Sequence, residues 1–253
     1  MYTKDSPIAV FDSGVGGISV LRELVRLMPN EKYLYFGDSA NAPYGDKTTA
    51  QVRELTLEAA QMLVQRGIKA LVVACNTATA AAIMDLREKY PELVIVGIEP
   101  ALKLAADRFP KGRIGVMATQ VTLREEKFAH QAERFPELSI HLIPAPGLVE
   151  QIEAGRENDP ETRKLLETLL LPYKDNLDAL VLGCTHYPFA EYVIQEILGE
   201  NIQLLDGGQG TARQTKRCLE AKGLLSQGPG SVQMENSSHN AALLRRAMAL
   251  LEG

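Results

Sequence analysis

The chain has 253 residues, 45% of them apolar and 23% charged, and carries a net charge of −5 at neutral pH. This balance excludes a disordered chain and offers no basic face for nucleic acid, and the length suits two domains of roughly 100 to 150 residues. No apolar run approaches the ~18 residues of a spanning helix, and Met1 to Pro7 lacks the layout of a signal peptide, so no membrane association is expected and the cytoplasm is the expected compartment.

In chain order, Ile8 to Phe11 reads as a short buried strand and Asp12-Ser-Gly-Val-Gly-Gly17 as a tight turn. Ile18, Leu21, Leu24, Val25 and Met28 then fall on one stripe of a helix. Lys32 to Gly37 is a second strand, followed by a loop-rich segment, Asp38 to Gly45. Thr48 to Arg66 reads as a helix closed by Gly67, Ala70 to Cys75 as a third strand, and Ala78 to Tyr90 as a helix ending at Pro91. Leu93 to Ile98 supplies a fourth strand, and Pro100 suits the first turn of a helix running to about Phe109.

From Arg113 the pattern begins again. Ile114 to Thr119 repeats Ile8 to Ser13 at an offset of 106 residues, Ser139 to Leu142 repeats Tyr33 to Phe36 at 106, and Cys184 repeats Cys75 at 109. Asp206, after Ile202 to Leu205, repeats Glu99 at 107. Four blocks in one register point to two copies of one βα series. Within the second copy, Pro144 to Gly147 opens a short helix, Leu148 to Ala154, and Asp159 reads as the N-cap of a helix whose first turn holds Pro160. A glycine turn, Gly207 to Gly210, precedes a helix to about Lys222. Gln227 to Ser231 reads as a loop and Asn240 to Leu251 as a last helix. The expected fold is α/β, with nine or so strands in two similar domains of mostly parallel sheets flanked by helices and related by a pseudo-twofold. The last two helices have no counterpart in the repeat and are expected to pack on the first domain. The division is then 1–98 with 208–253, and 99–207.

Gly14-Val-Gly-Gly17 resembles a dinucleotide-binding turn, but Ser19 stands at the third glycine position and Asp12 would repel a pyrophosphate. The plainer reading is a turn that lets something approach the backbone closely. Three widely spaced cysteines fit neither a disulfide framework nor a CxxC metal site, so no metal is expected. Cys218, inside a helix, reads as a small hydrophobe. Cys75 and Cys184 each end a buried strand, where ligands gather in parallel sheets, and each is expected to lie beside free helix amides that favour the thiolate. Two thiols facing one substrate can take a proton from one face of a carbon and return another to the opposite face, which is racemisation.

Asp12-Ser-Gly-Val-Gly-Gly17, Gly37-Asp38 with Pro43-Tyr-Gly45, Ala74-Cys-Asn-Thr-Ala-Thr79 and Gly183-Cys-Thr-His-Tyr-Pro188 together resemble the motif set of the glutamate racemases, in the cofactor-independent aspartate/glutamate racemase superfamily. The resemblance runs from about residue 8 to about residue 210, in order. It implies interconversion of L- and D-glutamate without a cofactor, supply of D-glutamate for peptidoglycan, a homodimer and an active site in the cleft between the domains. It implies Cys75 as the acid/base residue facing the D-isomer and Cys184 as the one facing the L-isomer, with Asp12, Glu153 and His186 assisting. Glu150 competes with Glu153 for that role on the same short helix. Ser13, Pro43, Tyr44, Gly45, Asn76, Thr77 and Thr185 match substrate-holding positions, and Thr119 and Thr122 join them from the second copy. The pattern departs at Asn41, where many members have Arg, at Gly207 to Gly210, and at Gln233 to Ser238. The rivals are an aspartate or hydantoin racemase, a hydrolase using one cysteine, and a non-catalytic binder.

Overall fold

The computed structural model describes residues 2–98, 101–124 and 126–252. The first part runs β1 (Ile8–Asp12), α1 (Ile18–Leu27), β2 (Lys32–Gly37), α2 (Thr49–Gln65), β3 (Ala70–Val73), α3 (Asn76–Lys89), β4 (Val94–Gly97) and α4 (Leu102–Arg108). The second continues with β5 (Arg113–Ala118), α5 (Gln120–Arg124), α6 (Glu126–Glu133), β6 (Ser139–Pro144), α7 (Leu148–Glu153) and α8 (Pro160–Leu170). After β7 (Ala179–Leu182), α9 (Glu191–Leu198) and β8 (Gln203–Asp206), the chain closes with α10 (Gly208–Ala221), β9 (Ser231–Asn236) and α11 (Ala241–Glu252).

Every strand pairing is parallel, in a five-stranded sheet of order β4-β3-β1-β2-β9 and a four-stranded sheet of order β6-β5-β7-β8. Replacing β1 to β4 by β5 to β8 turns the first order into the second, so the sequence repeat is a repeat of topology. Parallel strands need both faces covered, and the alternation within β1 divides its residues between them. Ile8 and Val10 join one core with α1, α10 and α11, while Ala9 and Phe11 join another with α2 and α3. In the second sheet Ile114 and Val116 pack on one side and Met117 on the other, against α7, α8 and α9. Each such fully buried aliphatic contributes about 1.5–3 kcal/mol.

Local chemistry sets the helix ends. Thr48 and Gln51 form a reciprocal capping box at α2, and Gly67 leaves that helix with φ of +75°. Asp159 holds the N-cap position of α8 with Pro160 in its first turn, but its side chain makes no capping bond; Thr162 instead bonds the Arg156 carbonyl at 2.6 Å. The segment expected as a glycine turn, Gly207 to Gly210, is the helical start of α10, where Asp206 Oδ1 accepts from the Gly208 amide at 2.6 Å. The expected roles of Glu99 and Pro100 lie outside the described residues.

The strand β9 is an addition to the sequence reading. Val232 and Met234 turn to the core while Ser231 and Gln233 face out, and Glu235 pairs with Arg66, the C-cap of α2. A polar, half-exposed edge strand carries little apolar signal of its own. Both α10 and α11 pack on α1, with α10 also against β3 and β4 and α11 against β9. At the far end of this sheet Lys69 and Glu31 form a fully buried ion pair of 2.5 Å, and Lys69 Nζ also bonds the Leu224 carbonyl at 2.9 Å.

Candidate active site

At the carboxyl ends of β1 and β3 the chain turns into helices whose first residues face the second sheet. Cys75 is the N-cap of α3, and its Sγ accepts from the Ala78 amide at 3.4 Å while facing Ser13 Oγ at 3.7 Å. The strand ends at Val73 and the helix begins at Asn76, two residues before the expected start. Cys184 follows β7 and leads into a short 3-10 turn, Tyr187–Ala190, so the expected helix amides are replaced by His186, whose Nδ1 is 3.7 Å from Cys184 Sγ.

Both cysteines line one cavity of about 140 Å³ between the two sheets. The first part contributes Ser13, Pro43, Tyr44, Gly45, Cys75, Asn76 and Thr77 to its wall; the second contributes Thr119, Cys184, Thr185 and His186. Asp12, Glu153 and Thr122 stand behind that wall. Asp46, Gln120, Pro146, Val149 and Glu150 also line the cavity. Of these, Glu150 alone was named from the sequence. The position of Gln120, next to the repeat of Ser13, was the available signal for another.

The support is a bonded network across the cleft. His186 Nε2 donates to Glu153 Oε1 at 2.7 Å, and the same oxygen accepts from the Val15 amide at 2.9 Å. Thr185 Oγ1 donates to Asp12 Oδ1 at 3.1 Å, the Gly14 amide donates to Asp12 Oδ2 at 3.1 Å, and Ser19 Oγ donates to the Thr185 carbonyl at 2.9 Å. Thr77, Thr119 and Thr122 form a hydroxyl triangle with edges of 3.0 to 3.4 Å. Asp38 accepts from Tyr44 Oη at 2.6 Å and from Asn41 at 3.1 Å, which fixes the lip of the cavity.

The glycines of the first turn are explained by this crossing. A Cβ on Gly14 would stand 1.9 Å from Glu153 Oε1, and one on Gly16 would stand 2.3 Å from His186 Nδ1. The turn cradles side chains from the second part of the chain, Glu153 of α7 and His186 after β7, rather than a pyrophosphate.

The buried groups around the cavity are shifted in different directions. Burial pushes Cys75 up to about 12, helped by the nearby Asp12 and opposed by the Ala78 amide, so the expectation of a helix-stabilised thiolate fails there. Burial opposes a charge on His186, but its bonds to Cys184 and Glu153 outweigh that and hold it well above the ordinary imidazole range. Burial likewise opposes the charge of Glu153, and the bond and charge of His186 prevail, lowering it. Asp12 is raised by burial against the pull of His186 and two backbone amides. The result is a buried thiol at Cys75 and, beside Cys184, a histidine held in its imidazolium form. Among the described residues, no group of three or more metal-ligating side chains occurs, and no helix is long and apolar enough to cross a membrane.

Comparison with known proteins fits this geometry. The family profile described as Asp/Glu/Hydantoin racemase matches residues 8–215. A glutamate racemase of Clostridium perfringens is 46% identical over 98% of this chain and 97% of its own. Among solved structures, a glutamate racemase of Bacillus anthracis superposes with a TM-score of 0.88 at 32% identity, covering 99% of this chain and 95% of the other. A glutamate racemase of Escherichia coli, solved with L-glutamate and the activator UDP-MurNAc-ala, superposes with a TM-score of 0.85 at 30% identity, covering 98% and 94%.

Proposed function

The chain belongs to the Asp/Glu/Hydantoin racemase family, and on that footing we infer that it interconverts L- and D-glutamate by passing protons between the α-carbon and two thiols, Cys75 and Cys184. The observation that carries the mechanism is the pair of buried cysteines, one from each sheet, on a single small cavity.

In the L-to-D direction Cys184 acts as thiolate base, its charge offset by the His186 imidazolium, which Glu153 holds in place. As the Cα–H bond breaks, its electron pair stays on the α-carbon. The Cys75 S–H bond then breaks and its proton is delivered to the opposite face. Cys75 is left as thiolate and Cys184 as thiol, the arrangement from which D-glutamate reacts in reverse. Asn76 Oδ1 is buried and lacks a partner among the described residues, which makes it an acceptor for the substrate ammonium. Ser13, Thr77, Thr119 and Thr185 supply hydroxyls, and Pro43, Tyr44 and Gly45 form the lip over the cavity. Asp12 orients Thr185, and Thr122 orients Thr77 and Thr119. Closing such a cavity excludes water from a carbanion-like transition state.

The same reading divides the chain into 1–98 with 208–253, and 99–207, supported by the packing of α10 and α11 on α1. It makes the protein a cytoplasmic homodimer that supplies D-glutamate for peptidoglycan. The muramyl nucleotide bound to the Escherichia coli relative supports that last role. The test of substrate is the change in optical rotation of L-glutamate, L-aspartate and a substituted hydantoin with purified protein. Loss of rotation with glutamate alone is expected; reaction with aspartate or the hydantoin in its place would reassign the substrate.

A further inference from the structure

The C-terminal helix reaches the site from behind. Arg246 lies on α11, which packs on α1 and β9, yet its side chain crosses to the connection between α7 and α8. There Nη2 meets Glu157 Oε1 at 2.6 Å, with both side chains largely buried. Its guanidinium carbon and Nε are 3.8 Å from where a Cβ on Gly155 would stand. Gly155, with φ of +73°, closes α7, and the last residue of α7 is Glu153. The Gly155 amide bonds the Ile152 carbonyl at 3.0 Å and the Arg156 amide the Gln151 carbonyl at 2.8 Å, so this turn is tied tightly to the helix that presents Glu153. Arg246 Nε and Glu157 Oε2 are buried without a partner among the described residues, so the pair is a single bond rather than a bidentate fork.

We propose that Arg246 is a positioning residue for proton transfer, holding Glu153 as the carboxylate that orients His186 toward Cys184. The proposal rests on the two-thiol reading above and adds to it a residue that no motif marks. Burial raises the pKa of Glu153, while the bond and charge of His186, the Val15 amide and lastly the charge of Arg246 lower it; Asp12 of β1 and Tyr35 of β2, both raised first by burial, are raised further by the charge of Glu153. Removing the Arg246 charge therefore leaves Glu153 more readily protonated. The acidic limb of kcat/KM then moves to higher pH.

The experiment is steady-state racemisation of L-glutamate against pH by wild type, Arg246→Gln, Arg246→Lys, Glu157→Gln, Glu153→Gln and the Arg246→Gln/Glu153→Gln double variant, with thermal melting of each. Arg246→Gln keeps a donor for Glu157 and loses the charge. It is expected to lower kcat about tenfold with KM little changed, and to move the acidic limb up by about half a unit. Arg246→Lys should recover most of both. Glu157→Gln, which keeps the guanidinium, should leave the limb in place; if Arg246→Gln does not fold, Arg246→Lys, which keeps the charge, should still show the wild-type limb, and a limb moved up in Arg246→Lys or in Glu157→Gln would overturn the proposal. The double variant should be no slower than Glu153→Gln alone, because the two changes act through one group. Independent, multiplying effects would overturn the proposal, as would an unchanged Arg246→Gln profile or a limb moved as far by Glu157→Gln. A Glu153→Gln enzyme as fast as wild type would instead remove the parent assignment of Glu153.

Discussion

The charge state of Cys75 gives the sharpest prediction. Its thiol is pushed from an ordinary 9.0 to about 12 by burial and by Asp12. Three units correspond to ~4 kcal/mol for ionising the thiol in the empty site, and at pH 8 only about one Cys75 in ten thousand is thiolate. For D-glutamate to be deprotonated there, binding has to offset much of that cost, and in the proposed binding mode the substrate ammonium at Asn76 is the charge available to do so. Alkylation by iodoacetamide measures this directly, because only the thiolate reacts. In Cys218→Ser protein, with labelled peptides quantified by mass spectrometry, the Cys75 rate should rise about tenfold per pH unit through pH 10 without a plateau. A plateau by pH 9 would refute the reasoning, since it would mean that the Ala78 amide prevails over desolvation. The shift has a counterpart in stability. The folded state keeps this proton after the unfolded chain has lost it, so stability falls as pH rises from about 9 toward 12, and Cys75→Ala should flatten that fall.

Further substitutions probe the supports. Gly14→Ala places a methyl group on Glu153 and should cost about 1–3 kcal/mol of stability in thermal melts while removing most activity. Glu153→Gln replaces a charged bond worth about 1.5–3 kcal/mol, so kcat should drop between about tenfold and a hundredfold. Because the folded pKa of Glu153 is depressed, its stabilisation is present above the unfolded carboxylate range and is lost as pH falls through the folded value; acid titration of Glu153→Gln should show a shallower loss. Lys69→Met alone strands Glu31 in the core and should cost about 3–5 kcal/mol in denaturant melts, while the Lys69→Met/Glu31→Leu pair should recover much of it.

Much of the framework was legible because parallel strands buried on both faces leave continuous apolar runs, and because the repeat let one copy check the other. Ile8 to Phe11 and Ile114 to Ala118 occupy equivalent central strands of their sheets. The paired cysteines were legible for the same reason. What the sequence concealed was set by tertiary contact. The strand at Ser231 has only Val232 and Met234 as apolar residues turned inward, and its place beside β2 depends on the chain returning across the first sheet. The thiolate expected at Cys75 followed from local helix amides, whereas desolvation, a property of the assembled cleft, decides its charge. Gly14 and Gly16 announced a close approach, but not that the approaching groups were Glu153 and His186 from the other half of the chain. Arg246 is invisible to motif reading, because its role arises only where α11 meets the turn after α7.

The two-thiol mechanism is tested most directly by incubating the protein with L-glutamate in deuterated water, following optical rotation and α-deuterium together in wild type, Cys75→Ala and Cys184→Ala. It predicts D-glutamate carrying deuterium at the α-carbon from wild type, and no racemisation from either variant. Racemisation that survives the loss of either cysteine would contradict it.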